Sequence, residues 1–162
     1  WLIGGYLAVW VGYSLAATLA QWGLTELRAL NPAMGPASLL LAGTTLIAAG
    51  LYQFTPAKQG CLIRCQMPTR YIVANWSTTS TGVFRLGVEQ GLFCLGCCFA
   101  LMTVMFAVGV MNVIWIAVIG LAMIAEKTIH HPAVSRVIGA VLLAWGAALI
   151  WASPVGDRVF GM

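Results

Sequence analysis

Charge is what this chain has least of. Its 162 residues include eight Lys and Arg, four Asp and Glu and two His, so only 7% are charged. A water-soluble domain carries about a quarter, and a surface this poor in charge excludes one. The shortage of acids also narrows acid/base chemistry. Asp157 lies in the C-terminal tail and Glu26 at a helix end, which leaves Glu89 and Glu126. Missing too are a phosphate loop, a glycine-rich dinucleotide fingerprint, a Ser/His/Asp arrangement and a Cys-x-x-Cys-His haem attachment sequence. His130 and His131 are adjacent and near a surface, so they do not supply both axial ligands of a mid-membrane haem. No segment alternates as lipid-facing strands do, which argues against a barrel. Nothing here composes an active site, and the expectation leans away from an enzyme.

Hydrophobic residues fill the space that charge leaves. They make up 61% of the chain, with a mean hydropathy of +0.94. Runs able to cross roughly 30 Å of hydrocarbon fall at about 1–24, 37–54, 86–110, 113–129 and 134–152. The expected fold is therefore all-α: a single polytopic transmembrane helix bundle of about five spans. The sequence starts at Trp1 inside an apolar run without a signal-peptide pattern, so that run is read as a resident span, and one more span before it is left open. The net charge of +4 reads as topology and not as a nucleic-acid signal. If spans alternate, Lys58, Arg64, Arg70, Arg85, Lys127 and Arg136 share one side, and Arg28 and Arg158 the other. The positive-inside rule makes the first group cytoplasmic, and with it the polar loop at about 56–84. The setting is a multi-pass protein in contact with membrane lipids.

Sulfur supplies the chemistry. Cys94, Cys97 and Cys98 lie within two turns of one apolar helix, and their i, i+3 and i+4 spacing places all three on one face. Met105 continues that face, with Met102 and Met111 to either side. Soft thiolate and thioether ligands select Cu(I), with zinc as the alternative. Cys61 and Cys65 also stand at i and i+4 if 57–66 is helical, forming a second, cytoplasmic pair. Gln90 precedes Cys94 by one turn, and Glu89 beside it needs a partner or a water-filled cavity. On the return helix Glu126 and His130 stand at i and i+4, a way in for a cation at the cytoplasmic interface. Against these readings stands the ordinary one, in which Cys and Met fill space between packed helices.

The two Cys pairs also invite comparison with thiol relays. The loop pair faces a reducing cytoplasm on the topology above, where disulfides do not persist. The helix pair lacks a neighbouring positive charge to lower a thiol pKa.

A set of linked motifs resembles a known family. Tyr52-Gln53-Phe54-Thr55-Pro56-Ala57-Lys58 is followed by Cys61-Leu62 and Cys65. Then come Cys94-Leu95-Gly96-Cys97-Cys98 with Leu101-Met102, Gly109-Val110-Met111-Asn112 with Trp115, and Glu126-Lys127. Over about 40–136 this is similar to a bacterial family of unknown function catalogued as predicted metal-binding integral membrane proteins. The resemblance implies a polytopic inner-membrane fold and a metal site, with no established reaction. The chain departs from the family's pattern at Gln90, where a His is common, and at Phe99, where a Trp is common. The span with paired Met residues that usually precedes this point is absent.

Three functions remain in view. The first is soft-metal binding, with copper as the ion, at Cys94, Cys97, Cys98, Cys61, Cys65, Met102 and Met105, for handling or delivery to a metal acceptor protein. The second is an accessory subunit packed against other membrane protein subunits through small-residue faces. The third is membrane thiol redox.

Overall fold

Proline sets where several helices begin, and glycine sets how near they come. The computed structural model describes residues 1–27, 38–108 and 113–153. Among them are seven α-helices and no strand. They are α1 (Leu2–Glu26), α2 (Leu39–Gln53), α3 (Pro56–Gln66), α4 (Pro68–Ala74), α5 (Ser80–Val108), α6 (Val113–Thr128) and α7 (Ala133–Trp151). The all-α expectation holds. Met111, Arg28 and Arg158 lie outside the described residues.

The region expected as a polar loop at 56–84 is mostly helix. Pro56 and Pro68 each open one, at the helix start where a missing N–H leaves nothing unsatisfied. Lys58 and Leu62 of α3 are buried, so this helix is packed rather than solvated. Three helices are long and apolar enough to cross a membrane, at Leu2–Glu26, Ser80–Met105 and Ala133–Trp151. α2 and α3 meet that test together, as a pair bent by 66°. α6, with 16 residues, is shorter than the roughly 20 a span needs.

The chain divides into two compact units, Trp1–Trp22 with Pro56–Cys98, and Gly23–Thr55 with Phe99–Met162. Helix α5 contributes to both. In the first unit α1 lies along the opening turns of α5, backbone against backbone. Gly5 sits on the Phe84 carbonyl, Gly87 on the Leu2 carbonyl, and a Cβ at Gly91 would come within 3.0 Å of Val9 Cβ. These pairs ascend together along both helices, so α1 and α5 run parallel. Gly87 and Gly91 form the Gly-x-x-x-Gly pattern that permits such approach. Elsewhere in this unit the Arg64 guanidinium of α3 lies 4.7 Å above the Phe93 ring of α5. Tyr71 of α4 meets the same ring edge-on, with centroids 5.3 Å apart.

On α1 the opposite face is bare. Ile3, Leu7, Val11, Leu15 and Leu19 recur every four residues and all are exposed.

In the second unit α2 and α7 pack through glycines seven residues apart on each, Gly43 and Gly50 against Gly139 and Gly146. Ser38 caps α2, its hydroxyl accepting from the Leu41 amide at 3.2 Å. Leu46, Leu101, Val104, Ile119 and Leu142 form the apolar centre of this unit, and Trp115 packs against Trp145 with centroids 4.8 Å apart.

A Cβ at Gly146 would fall 2.8 Å from the Gly43 carbonyl and 3.0 Å from the Ile47 amide. Gly146→Val is therefore expected to destabilise the fold by about 1–3 kcal/mol, seen as a lower thermal midpoint in detergent. Gly12→Ala, with nothing within 4 Å, is expected to leave it unchanged or raise stability by roughly 0.5–1 kcal/mol.

Candidate metal centre

Five thiols start from two helices. Cys61 and Cys65 stand one turn apart on α3, and Cys94, Cys97 and Cys98 within a turn and a half on α5. All five are free of disulfides. The sulfurs of Cys65, Cys94 and Cys97 lie within 4.8 Å of one another. Cys98 adds its sulfur 3.6 Å from that of Cys97. The three α5 thiols are buried, Cys97 to 1% exposure, whereas Cys65 is half-buried. Sequence spacing suggested a trio on one helix and a separate pair on another; the fold instead brings Cys65 to Cys94 and Cys97.

A glycine makes room for this. A Cβ at Gly96 would stand 2.8 Å from the sulfur of Cys61, so the absent side chain is where α3 seats its first thiol. Held there, α3 presents Cys65 one turn on to Cys94 and Cys97. The Cys97 thiol donates to the Cys94 carbonyl at 3.1 Å, the bond to the preceding turn available to a short polar side chain in a helix. From α1 the Tyr6 hydroxyl donates to the Cys94 sulfur at 3.5 Å.

The arrangement fits a soft ion. A metal–sulfur bond of about 2.3 Å places the sulfurs of a trigonal site roughly 4 Å apart, so the trio needs only slight contraction. It offers sulfur alone, in a low-dielectric interior, with a neutral hydroxyl donor beside one ligand. Such a set can hold a d¹⁰ cation, or exchange it between thiolates.

Of the other residues read as ligands, Met102 is half-buried, and Met105 packs against the apolar centre of the second unit. Glu126 is buried near the end of α6, but α6 stops at Thr128 and His130 is exposed beyond it. The helical register expected to pair them is not continued, since α6 ends before His130 is reached. His131 turns instead to the start of α7, where Nδ1 accepts from the Ala133 amide at 3.2 Å. Among the described residues, Cys65, Cys94 and Cys97 are the one group of three His, Cys, Asp or Glu ligands close enough to share an ion.

Charge collects about one turn before the cluster. Glu89 receives the Arg85 Nε–H at 3.1 Å and the Tyr71 hydroxyl at 2.9 Å. That answers the need for a partner posed by an acid at this depth. The Tyr71 hydrogen bond to the Glu89 carboxylate, then burial, holds the phenol above its ordinary pKa of 10.0. Gln90 is also buried, and its Oε1 has no hydrogen-bond partner.

Sequence spacing pointed to the α5 thiols but not to Tyr6, Gly96 or the recruitment of Cys65. For Gly96 a signal existed, a glycine between the thiols of Cys94-Leu95-Gly96-Cys97. Tyr6 had none, being 88 residues from Cys94.

Residues 1–149 match the PpoB2 family, described as copper chaperones, and the chain belongs to that family. No curated protein and no solved structure matches it.

Two outcomes follow from the geometry. Gly96→Val is expected to displace the Cys61 sulfur and with it α3, so that Cys61 and Cys65 alkylate faster with maleimide than in the native chain. Glu89→Gln is expected to lower the pKa of Tyr71 toward 10.0, read from tyrosinate absorbance with Tyr71→Phe to identify the signal. Because the folded pKa is raised, the stabilising contribution is complete below pH 10.0 and lost as pH climbs through the folded value. In the variant that pH-dependent contribution shrinks with the shift.

Proposed function

We propose that this chain is a multi-pass bacterial inner-membrane protein that receives Cu(I) on Cys65, Cys94 and Cys97 and passes it to an acceptor protein. The observation that carries the proposal is the convergence of three sulfurs from two helices within 4.8 Å, two of them buried. Membership of a copper chaperone family supports the choice of ion. Chemistry supports it as well, since thiolate-only sites in a dry interior favour a soft monovalent cation over zinc, whose extra charge and tetrahedral preference call for a fourth ligand. Cys98, 3.6 Å from Cys97, is the alternative partner during exchange. Cys61 fixes α3 and stands next in line.

The exposed apolar row on α1 supports the membrane setting, since a contiguous stripe of that length is unstable in water and ordinary in lipid. Along the chain, Lys58, Arg64, Arg70 and Arg85 fall between the start of α3 and the start of α5, and Lys127 and Arg136 flank the turn from α6 to α7. On the positive-inside rule we read these segments as cytoplasmic.

Detergent-purified protein titrated with Cu(I) against a chromogenic chelator is expected to bind one ion per chain, with an all-sulfur X-ray absorption shell. Cys94→Ser or Cys97→Ser is expected to lower affinity by at least tenfold, and Tyr6→Phe by roughly tenfold, the lower end of what an outer partner of a ligand contributes. Full copper retention in a variant with Cys65, Cys94 and Cys97 all replaced by Ser would refute the assignment.

A further inference from the structure

Where α3 meets α4 the chain forms an open pocket of about 280 Å³. Ile63, Met67, Tyr71 and Ala74 give it an apolar floor. Ile63 is 59% exposed, and Val73 and Trp76 are exposed close by in the chain. Arg64 and Arg70 line the same pocket. Arg64 is stacked 4.7 Å over the Phe93 ring, and neither guanidinium has an ion pair or a hydrogen bond among the described residues. No acid within the unit is left to meet them. Glu89 is the one Asp or Glu there, and it is engaged by Arg85 at 3.1 Å and Tyr71 at 2.9 Å.

We infer that this pocket holds an anionic phospholipid, with part of an acyl chain on the apolar floor and the headgroup phosphate on Arg64 and Arg70. The inference rests on the membrane reading above and not on the choice of metal. An apolar floor offers nothing to a hydrophilic anion, and two unpaired guanidiniums offer nothing to a neutral hydrocarbon. An amphiphile with an acidic head satisfies both. Arginine is suited to the head because its planar fork meets phosphate oxygens two at a time, while its apolar stem lies along the chain below. The volume, at the lower end of small-ligand pockets, suits one segment of a chain whose remainder lies in the bilayer. The setting fits as well. α3 and α4 are short and carry exposed apolar and basic side chains together, as helices at a membrane surface do, with Trp76 as the aromatic found at that level. Basic groups on the cytoplasmic side draw acidic lipids to them.

The test is native mass spectrometry of the full chain, extracted from membranes in detergent and titrated with long-chain phosphatidylglycerol or with phosphatidylcholine of the same chains. One phosphatidylglycerol per chain is expected to bind at least tenfold more tightly than phosphatidylcholine. Arg64→Gln with Arg70→Gln should lower that affinity roughly tenfold, to the level of phosphatidylcholine, and Arg64→Lys with Arg70→Lys should retain most of it. Arg136→Gln, which removes a charge on α7, should have no effect. Ala74→Trp, at an exposed position on the floor, should weaken binding of the lipid by occupying its space. Glycerol phosphate, the head without chains, should not displace bound phosphatidylglycerol. No preference for the acidic lipid, an equal loss in Arg136→Gln, undiminished binding in Ala74→Trp or displacement by glycerol phosphate would each overturn the lipid site while leaving the membrane reading standing. Recovery of the chain from the soluble fraction without detergent would remove both.

Discussion

Close approach of α3 to α5 is the constraint on which the site depends. Sulfur is bulky, and two neighbouring helices with ordinary side chains stand 8–10 Å apart, too far for thiols on both to share one ion without a gap between them. Gly96 removes the obstacle where Cys61 is seated, and the i, i+4 spacing of α3 carries Cys65 into range of Cys94 and Cys97. The same device recurs at Gly87 and Gly91, which bring α1 near enough for the Tyr6 hydroxyl to reach Cys94. Glycine is thus used on α5 for two distances, one that assembles the ligands and one that supplies a hydrogen bond to them.

Electrostatics divides the first unit along α5. Arg85, Glu89 and Tyr71 make a connected polar set at its opening turns, and one turn later the lining turns to sulfur. A thiolate in a dry interior is costly unless its charge is met. A soft cation would meet part of it, and Tyr6 donates to one sulfur. The ion and its ligands would therefore stabilise each other.

The sequence made the helices legible because apolar runs of span length admit little else, and it made the shared face of Cys94, Cys97 and Cys98 legible because helical spacing is local. Three features escaped it. The loop expected at 56–84 is helical because Pro56 and Pro68 start helices there, and its polar composition hid a buried Lys58 and Leu62. Cys65 joins the α5 thiols through a contact between helices, which spacing along either one does not encode. The Glu126 and His130 pair assumed that α6 continues past Thr128, where it ends. Pro56, Gly96 and Pro132 each carried a visible signal, and each concerned a boundary or a distance between elements.

Graded burial of the ligands bears on what kind of copper site this would be. A permanent centre gains from enclosing every ligand equally, since release is then slow. Here Cys97 is at 1% exposure and Cys94 at 5%, while Cys65 is half-buried. An ion held by the inner pair can therefore be offered through the third sulfur without opening the core. Cys98, 3.6 Å from Cys97, gives the inner side an equivalent substitute. Exchange through three-coordinate sulfur needs one extra thiol within reach at each step, and the cluster provides one on either side. Strong holding and ready transfer are compatible on these terms, because the total sulfur count sets affinity whereas exposure of a single ligand sets the rate of release.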